Sequence, residues 1–157
     1  MPTLDLNGAR LDPAKIERGI WWRIRVTSSD QHGPRFDGEA LPGLPGDEPA
    51  LLIRTAGDGI EHQRAREDAE RPFRIELREG RITPAALRTI NAEAIARAFW
   101  RGAHNITIGG KAFEWSESEA ARMLARPEWW NLQDFIVEKA TNRAALAAEE
   151  EEKAAGN

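Results

Sequence analysis

The chain has no cysteine, which excludes disulfide bonds and thiolate metal sites and fits a reducing compartment. No apolar run approaches the roughly 18 residues that a membrane helix needs, so no membrane partner is expected. The opening stretch, MPTLDLNGARLD, has neither the basic start nor the apolar segment of a signal peptide. The expectation is a protein that stays in the cytoplasm of the cell that makes it. Positive charge is not in surplus either. The formal net charge is −4, which argues against a nucleic-acid partner, since such proteins usually carry a basic patch.

Signatures of catalysis are also scarce. The three histidines, His32, His62 and His104, are isolated in sequence. His62 follows Glu61, but a zinc protease would need His-Glu-x-x-His. Gly109-Gly110-Lys111 lacks the spacing and the following helix of a phosphate-cradling loop. Ser28, Ser116 and Ser118 have no nucleophile-elbow setting. Asp58 and Glu61 are one carboxylate pair among many, and a glycosidase needs two at a set separation in a cleft. The expectation is a non-enzymatic protein with no cofactor and no metal site.

What is present is a soluble globular balance. Of the 157 residues, 41% are hydrophobic and 31% charged, enough for one domain with a modest core. The single domain 1–157 divides into a mainly β part over 1–56, a mainly helical part over 57–148, and an acidic tail over 149–157.

The run Ile95–Ala140 organises the rest. Four of the six tryptophans fall between Trp100 and Trp130. Ser116 followed by Glu119 is a capping-box pattern, and the helix it starts has Ala120, Ala121, Met123 and Leu124 as its small and apolar positions. Pro127 ends that helix or opens the next. The next carries Trp129, Leu132, Phe135 and Ile136, then Ala140 and Arg143, at helical spacing. Adjacent Trp129 and Trp130 cannot lie on one line of a helix, so one of them points away from the core. At this spacing Trp129, Phe135 and Ile136 read first as core; tryptophan is also enriched among interface anchors, which makes Trp130 the leading contact candidate.

Earlier in the chain, Thr3–Leu6 suits a short strand, and Asp12-Pro13 suits the start of a one-turn helix. Ile20–Thr27 is the clearest strand: Ile20, Trp22, Ile24 and Val26 alternate with Trp21, Arg23, Arg25 and Thr27. Ser28–Pro49, with Gly33-Pro34, Asp37-Gly38, Pro42-Gly43 and Pro45-Gly46, reads as a loop, pinned by Phe36 and Leu41. Ala50–Thr55 reads as a second strand antiparallel to the first. Ile60–Glu79 is a charged helix broken at Pro72, anchored beyond the break by Phe73, Ile75 and Leu77. Thr83-Pro84 caps a helix with a stripe of Leu87, Ile90, Ala94, Ile95, Ala98 and Phe99, closed by Trp100 and Gly102. Ile106–Ile108, Gly109-Gly110 and Phe113–Trp115 suit a small hairpin. Residues 144–157 suit a helix that frays into a solvated acidic tail.

The string AIARAFWRGAHNITIGGKAFEWSESEAARMLARPEWWNLQDFIVEKATNRAA and its acidic end resemble the tail assembly chaperones of long-tailed bacteriophages and prophages. The shared positions are Ala96, Trp100, Gly102, Gly110, Trp115, Ser116, Ala120, Leu124, Pro127, Leu132, Phe135, Ile136 and Ala140. Asp12-Pro13 followed by Gly19-Ile20-Trp21 is similar to the family's opening. The long loop 28–49 departs from the family, where this connection is short. The shared pattern consists of apolar and turn residues, with no catalytic signature.

The resemblance implies a chaperone that holds the tape measure protein soluble in the host cytoplasm until tail tube protein polymerises around it. It also implies self-association, absence from the mature virion, and in some members a longer frameshifted form. Trp21, Trp100, Trp129, Trp130 and Phe135 are the candidate partner-binding residues. The alternatives are a structural tail or tail-completion protein of the virion, and a phage-encoded regulator that binds a host protein. The expected fold is α+β: a small N-terminal antiparallel sheet followed by a mostly helical part.

Overall fold

A computed structural model describes residues 18–56 and 59–142. The expected elements at Thr3–Leu6, Asp12-Pro13 and 144–157, together with Arg143, lie outside the described residues. Antiparallel sheets come first and helices follow, an α+β arrangement.

The central sheet has the order β1-β4-β5. Strand β1 (Ile20–Arg23) pairs antiparallel with β4 (Ala50–Ile53), in a register that sets Ile20 opposite Ile53 and Arg23 opposite Ala50. Ile20 and Trp22 point into the core, and Trp21 and Arg23 alternate outward. The expected strand Ile20–Thr27 does not run straight on. The next partner after Ala50 is Pro49, which has no amide to donate. Ile24 donates to the Pro49 carbonyl at 3.1 Å, and there the ladder ends.

The chain then turns into β2 (Arg25–Asp30), which pairs with β3 (Gly33–Asp37) as a separate hairpin. The expected loop Ser28–Pro49 therefore begins as an ordered β-hairpin. Gly38 lets its returning strand cross β1, because a Cβ there would lie 1.6 Å from the Arg23 carbonyl oxygen. Val26, assigned to the apolar face of one long strand, is 62% exposed. Beyond the hairpin the chain follows the free edge of β1. Arg23 donates its amide to Glu39, and Leu41 donates to Trp21.

The third central strand, β5 (Trp100–His104), corrects the expectation that Trp100 and Gly102 only close a helix. The unused edge of β4 supplies the partner that a local pattern cannot show. The small hairpin of β6 (Thr107–Ile108) and β7 (Lys111–Ala112) is shorter than expected, with Gly109 and Gly110 both at positive φ.

Helix α1 (Ile60–Glu70) runs into a 3-10 turn at Arg71–Phe73 and then the short α2 (Arg74–Arg78), so Pro72 breaks the helix as expected. Ile75 is no anchor, however, being 62% exposed. In α3 (Pro84–Ala98), the Thr83 hydroxyl accepts from the Ala86 amide at 3.1 Å. Here Ala92 and Ala96 are fully buried along with the expected stripe, and Leu87 is 38% exposed. Alanine lets α1 approach one side of α3 and α4 (Glu117–Leu124) the other. Arg66 to Asn91 at 2.6 Å and Arg97 to Asp68 at 2.8 Å tie α1 to α3.

Ser116 caps α4 by accepting from the Glu119 amide at 3.1 Å. A 3-10 turn at Pro127–Trp129 leads into α5 (Trp130–Ala140), which buries Leu132, Phe135, Ile136 and Ala140. The buried Gln133 is satisfied by the Leu124 carbonyl at 2.7 Å. Trp22, Leu51, Ile53, Ile95, Phe99, Trp100, Leu124 and Ile136 belong to one hydrophobic cluster that joins the sheet to the helices.

Candidate functional site

Two hairpins stand on either side of an apolar groove of about 460 Å³. Val26, Pro34 and Phe36 of the β2–β3 hairpin form one wall. Ile106, Ile108 and Phe113, around the β6–β7 hairpin, form the other. Leu51, Trp100, Met123, Trp129 and Leu132 complete the lining. The size falls within the range of about 300–1,000 Å³ common for binding pockets.

Local chemistry explains each wall. Phe36 stacks on Trp129, with ring centroids 6.5 Å apart, and meets Phe135 at 6.4 Å. Phe113 stacks on Trp100 at 5.6 Å, and its amide donates to the Ile106 carbonyl at 2.8 Å. The indole of Trp100 donates to the Gly102 carbonyl at 2.9 Å, so this buried ring keeps its polar atom satisfied. At the mouth, Arg23 pairs with Glu39 at 2.9 Å, and its Nε is buried with no hydrogen-bond partner among the described residues. Arg25 pairs with Asp37. The loop before β4 is pinned to the far side through His104 Nε2 and the Gly46 carbonyl, 2.8 Å apart, and through Asn105 and the Asp47 carbonyl.

The five sequence candidates do not gather in one place. Trp129 is half-buried and lines the groove. Trp100 also lines it but is only 1% exposed, and Phe135, 3% exposed, sits behind Phe36. Both are core residues and offer almost no surface. Trp21 lies on the opposite face of the central sheet, edge-on to His104 at 6.3 Å. Trp130 is 40% exposed and stands outside the groove beside His32 at 6.1 Å. Sequence reasoning missed Val26, Ile106, Ile108 and Phe113 as wall residues, and saw Phe36 only as a pin. The available signal was apolar side chains within short, turn-rich segments.

Three titrations are shifted, and the first is Arg25, raised by its hydrogen bond to Asp37 and by that carboxylate's charge. Asn131, hydrogen-bonded to Asp30, and then the His32 amide hold the Asp30 carboxyl below its ordinary range. Burial, with a smaller contribution from Arg66, pushes the His62 imidazole down, and that ring stacks on Phe99 at 4.9 Å. Among the described residues no group of three or more His, Cys, Asp or Glu could hold a metal ion, and no helix is long and apolar enough to cross a membrane.

The fold defines a class: an α+β protein with small antiparallel sheets, helices after them and an apolar groove floored by its own core. The chain belongs to the YdaY prophage protein family, which residues 56–157 match, and it is a prophage protein. The matched stretch supplies β5, the β6–β7 wall and the helices, whereas β1, β4 and the β2–β3 wall precede it. Comparison with curated proteins and with solved structures returned no match.

Proposed function

We propose that this prophage protein is a tail assembly chaperone that binds the tape measure protein without catalysing a reaction. The groove between the two hairpins is the observation that carries this reading. It is apolar, open to solvent and floored by buried core residues. A client helix laid there would seat its i, i+3 and i+4 side chains against Phe36, Ile108 and Trp129. Such contacts release by competition, so tail tube subunits polymerising around the client would displace the chaperone and no nucleotide is needed. The charged remainder of the surface keeps the complex in solution. On this reading the protein works in the bacterial cytoplasm, associates with itself and is absent from the finished tail. Membership of a prophage family and the resemblance of Ala96–Ala140 to tail chaperones both favour it.

The test is co-expression with the longest neighbouring tail gene product, followed by affinity pull-down and light scattering. A soluble complex is expected, and it should be lost in Val26→Asp with Ile108→Asp while circular dichroism stays unchanged. An insoluble partner with this chain eluting alone would overturn the proposal, and recovery of the protein in purified particles would favour a virion subunit instead.

A further inference from the structure

The β2–β3 hairpin is attached to the rest of the molecule in an unusual way. All six residues of β2 are exposed, and among the described residues the hairpin pairs with no other strand. Isolated two-stranded hairpins are marginal in water, so its position depends on how β3 docks. That docking runs chiefly along α5, from Asn131 to Phe135, and onto the Pro127–Trp129 turn. Asn131 Nδ2 donates to Asp30 Oδ1 at 2.8 Å and to the Gly33 carbonyl at 3.2 Å. Gly33, at φ 98°, lies so close that a Cβ there would sit 1.8 Å from the Glu128 carbonyl oxygen. Phe36 is the hairpin's aromatic anchor, held by Trp129 and Phe135. At the other end the two strands meet the body at single crossing points, Ile24 on the Pro49 carbonyl and Gly38 against Arg23.

We propose that this hairpin is a hinged strap that governs access to the apolar groove, pivoting at Ile24 and Gly38 and latched by Asn131 and Phe36. This rests on the groove being the docking site. With the latch made, the strap is one wall of a narrow groove. With it released, Trp129, Leu132 and Met123 become accessible to an apolar segment longer than the closed groove takes. The latch is small and polar at its tip and contains one aromatic ring, so an incoming aromatic or leucine side chain can take the place of Phe36 on Trp129. The strap thus gives the site a narrow latched state, which holds a short apolar segment, and a wider released state with higher affinity for a longer one. A client that binds the released state pulls the equilibrium toward it.

The absence of native cysteine makes a direct test possible. The double variant Asp30→Cys with Asn131→Cys removes the polar latch, and a short bifunctional thiol reagent then ties strap to helix. The readouts are amide hydrogen exchange over residues 25–37 and the fluorescence of anilinonaphthalene sulfonate, an apolar-surface probe that does not depend on any client. The unlinked variant is expected to exchange faster in this segment and to bind the dye several-fold more than the parent. The linked form should return to the parent level or below. Equal dye binding in linked and unlinked forms, both folded by circular dichroism, would overturn the strap. The single variant Phe36→Ala supplies an independent check, with the same rise expected. If the strap result holds but tape measure protein binds neither form, the chaperone reading fails while the hinged strap stands.

Discussion

Strands β1 and β2 are neighbours in sequence and carry one continuous alternation, yet they share almost nothing in environment. Ile20 and Trp22 of β1 are nearly sealed from solvent, whereas every residue of β2 is exposed. The apolar residue Val26 continues the same phase as Trp22 and ends 62% exposed. Alternation specifies which residues share a face, but burial needs a second layer. β1 has the helices beneath it, with Trp22 under Lys139 at 5.1 Å. β2 has only β3. The break falls where Pro49 cannot extend the ladder. A strand can therefore change from core to movable wall within one residue.

The largest test of that contrast is Trp22→Ala, which should cost about 3–5 kcal/mol, as for other buried aromatic truncations, read by chemical denaturation. Phe36→Ala removes a half-buried ring that anchors the outer hairpin and should cost about 1–2 kcal/mol, less than a core aromatic because the ring keeps part of its solvent contact. Its main signature should be local, in hydrogen exchange over residues 25–37. Val26→Ala should change stability by no more than about 0.5 kcal/mol, as is usual for an exposed site. A loss at position 26 comparable to that at position 22 would mean that the two strands share one buried layer after all.

Two smaller effects concern pH. Asp30 has its folded pKa depressed below 3.8 by Asn131 and the His32 amide, with Arg35 and the His32 ring as the remaining charged or titratable neighbours acting on it. Its contribution is present above the unfolded value and lost as pH falls through the folded one. Amide shifts at the hairpin tip should therefore titrate below pH 3.8, and Asn131→Ala should move that titration upward. His62 also has a depressed folded pKa, from burial first and Arg66 second. The unfolded chain binds this proton more readily, so stability should decline as pH falls below 6.5. His62→Leu should remove that slope.

Much of the fold was legible because local chemistry decided it. Thr83, Ser116 and Pro127 start their elements where capping and proline geometry require, and Pro72 breaks its helix. The candidate site was less legible. Trp100 and Phe135 carry the composition of interface anchors but lie in the core. The groove's outer wall comes instead from Val26, Pro34 and Phe36, within residues read as the end of a long strand and a loop. Composition cannot tell a buried tryptophan from an exposed one, because both serve the same apolar surface.

By itself, the sequence determined the helix starts at Thr83 and Ser116, the break at Pro72, the antiparallel pairing of a strand from Ile20 with one from Ala50, and the turn at Gly109-Gly110, set by contacts a few residues apart or by matching alternation. Only the tertiary structure decided that Trp100–His104 joins the sheet, that Arg25–Asp37 folds on itself, and that the two hairpins enclose a groove. Those outcomes depend on which strand edge and which helix face are left without a partner once the core has closed, and that is a property of the whole packed molecule.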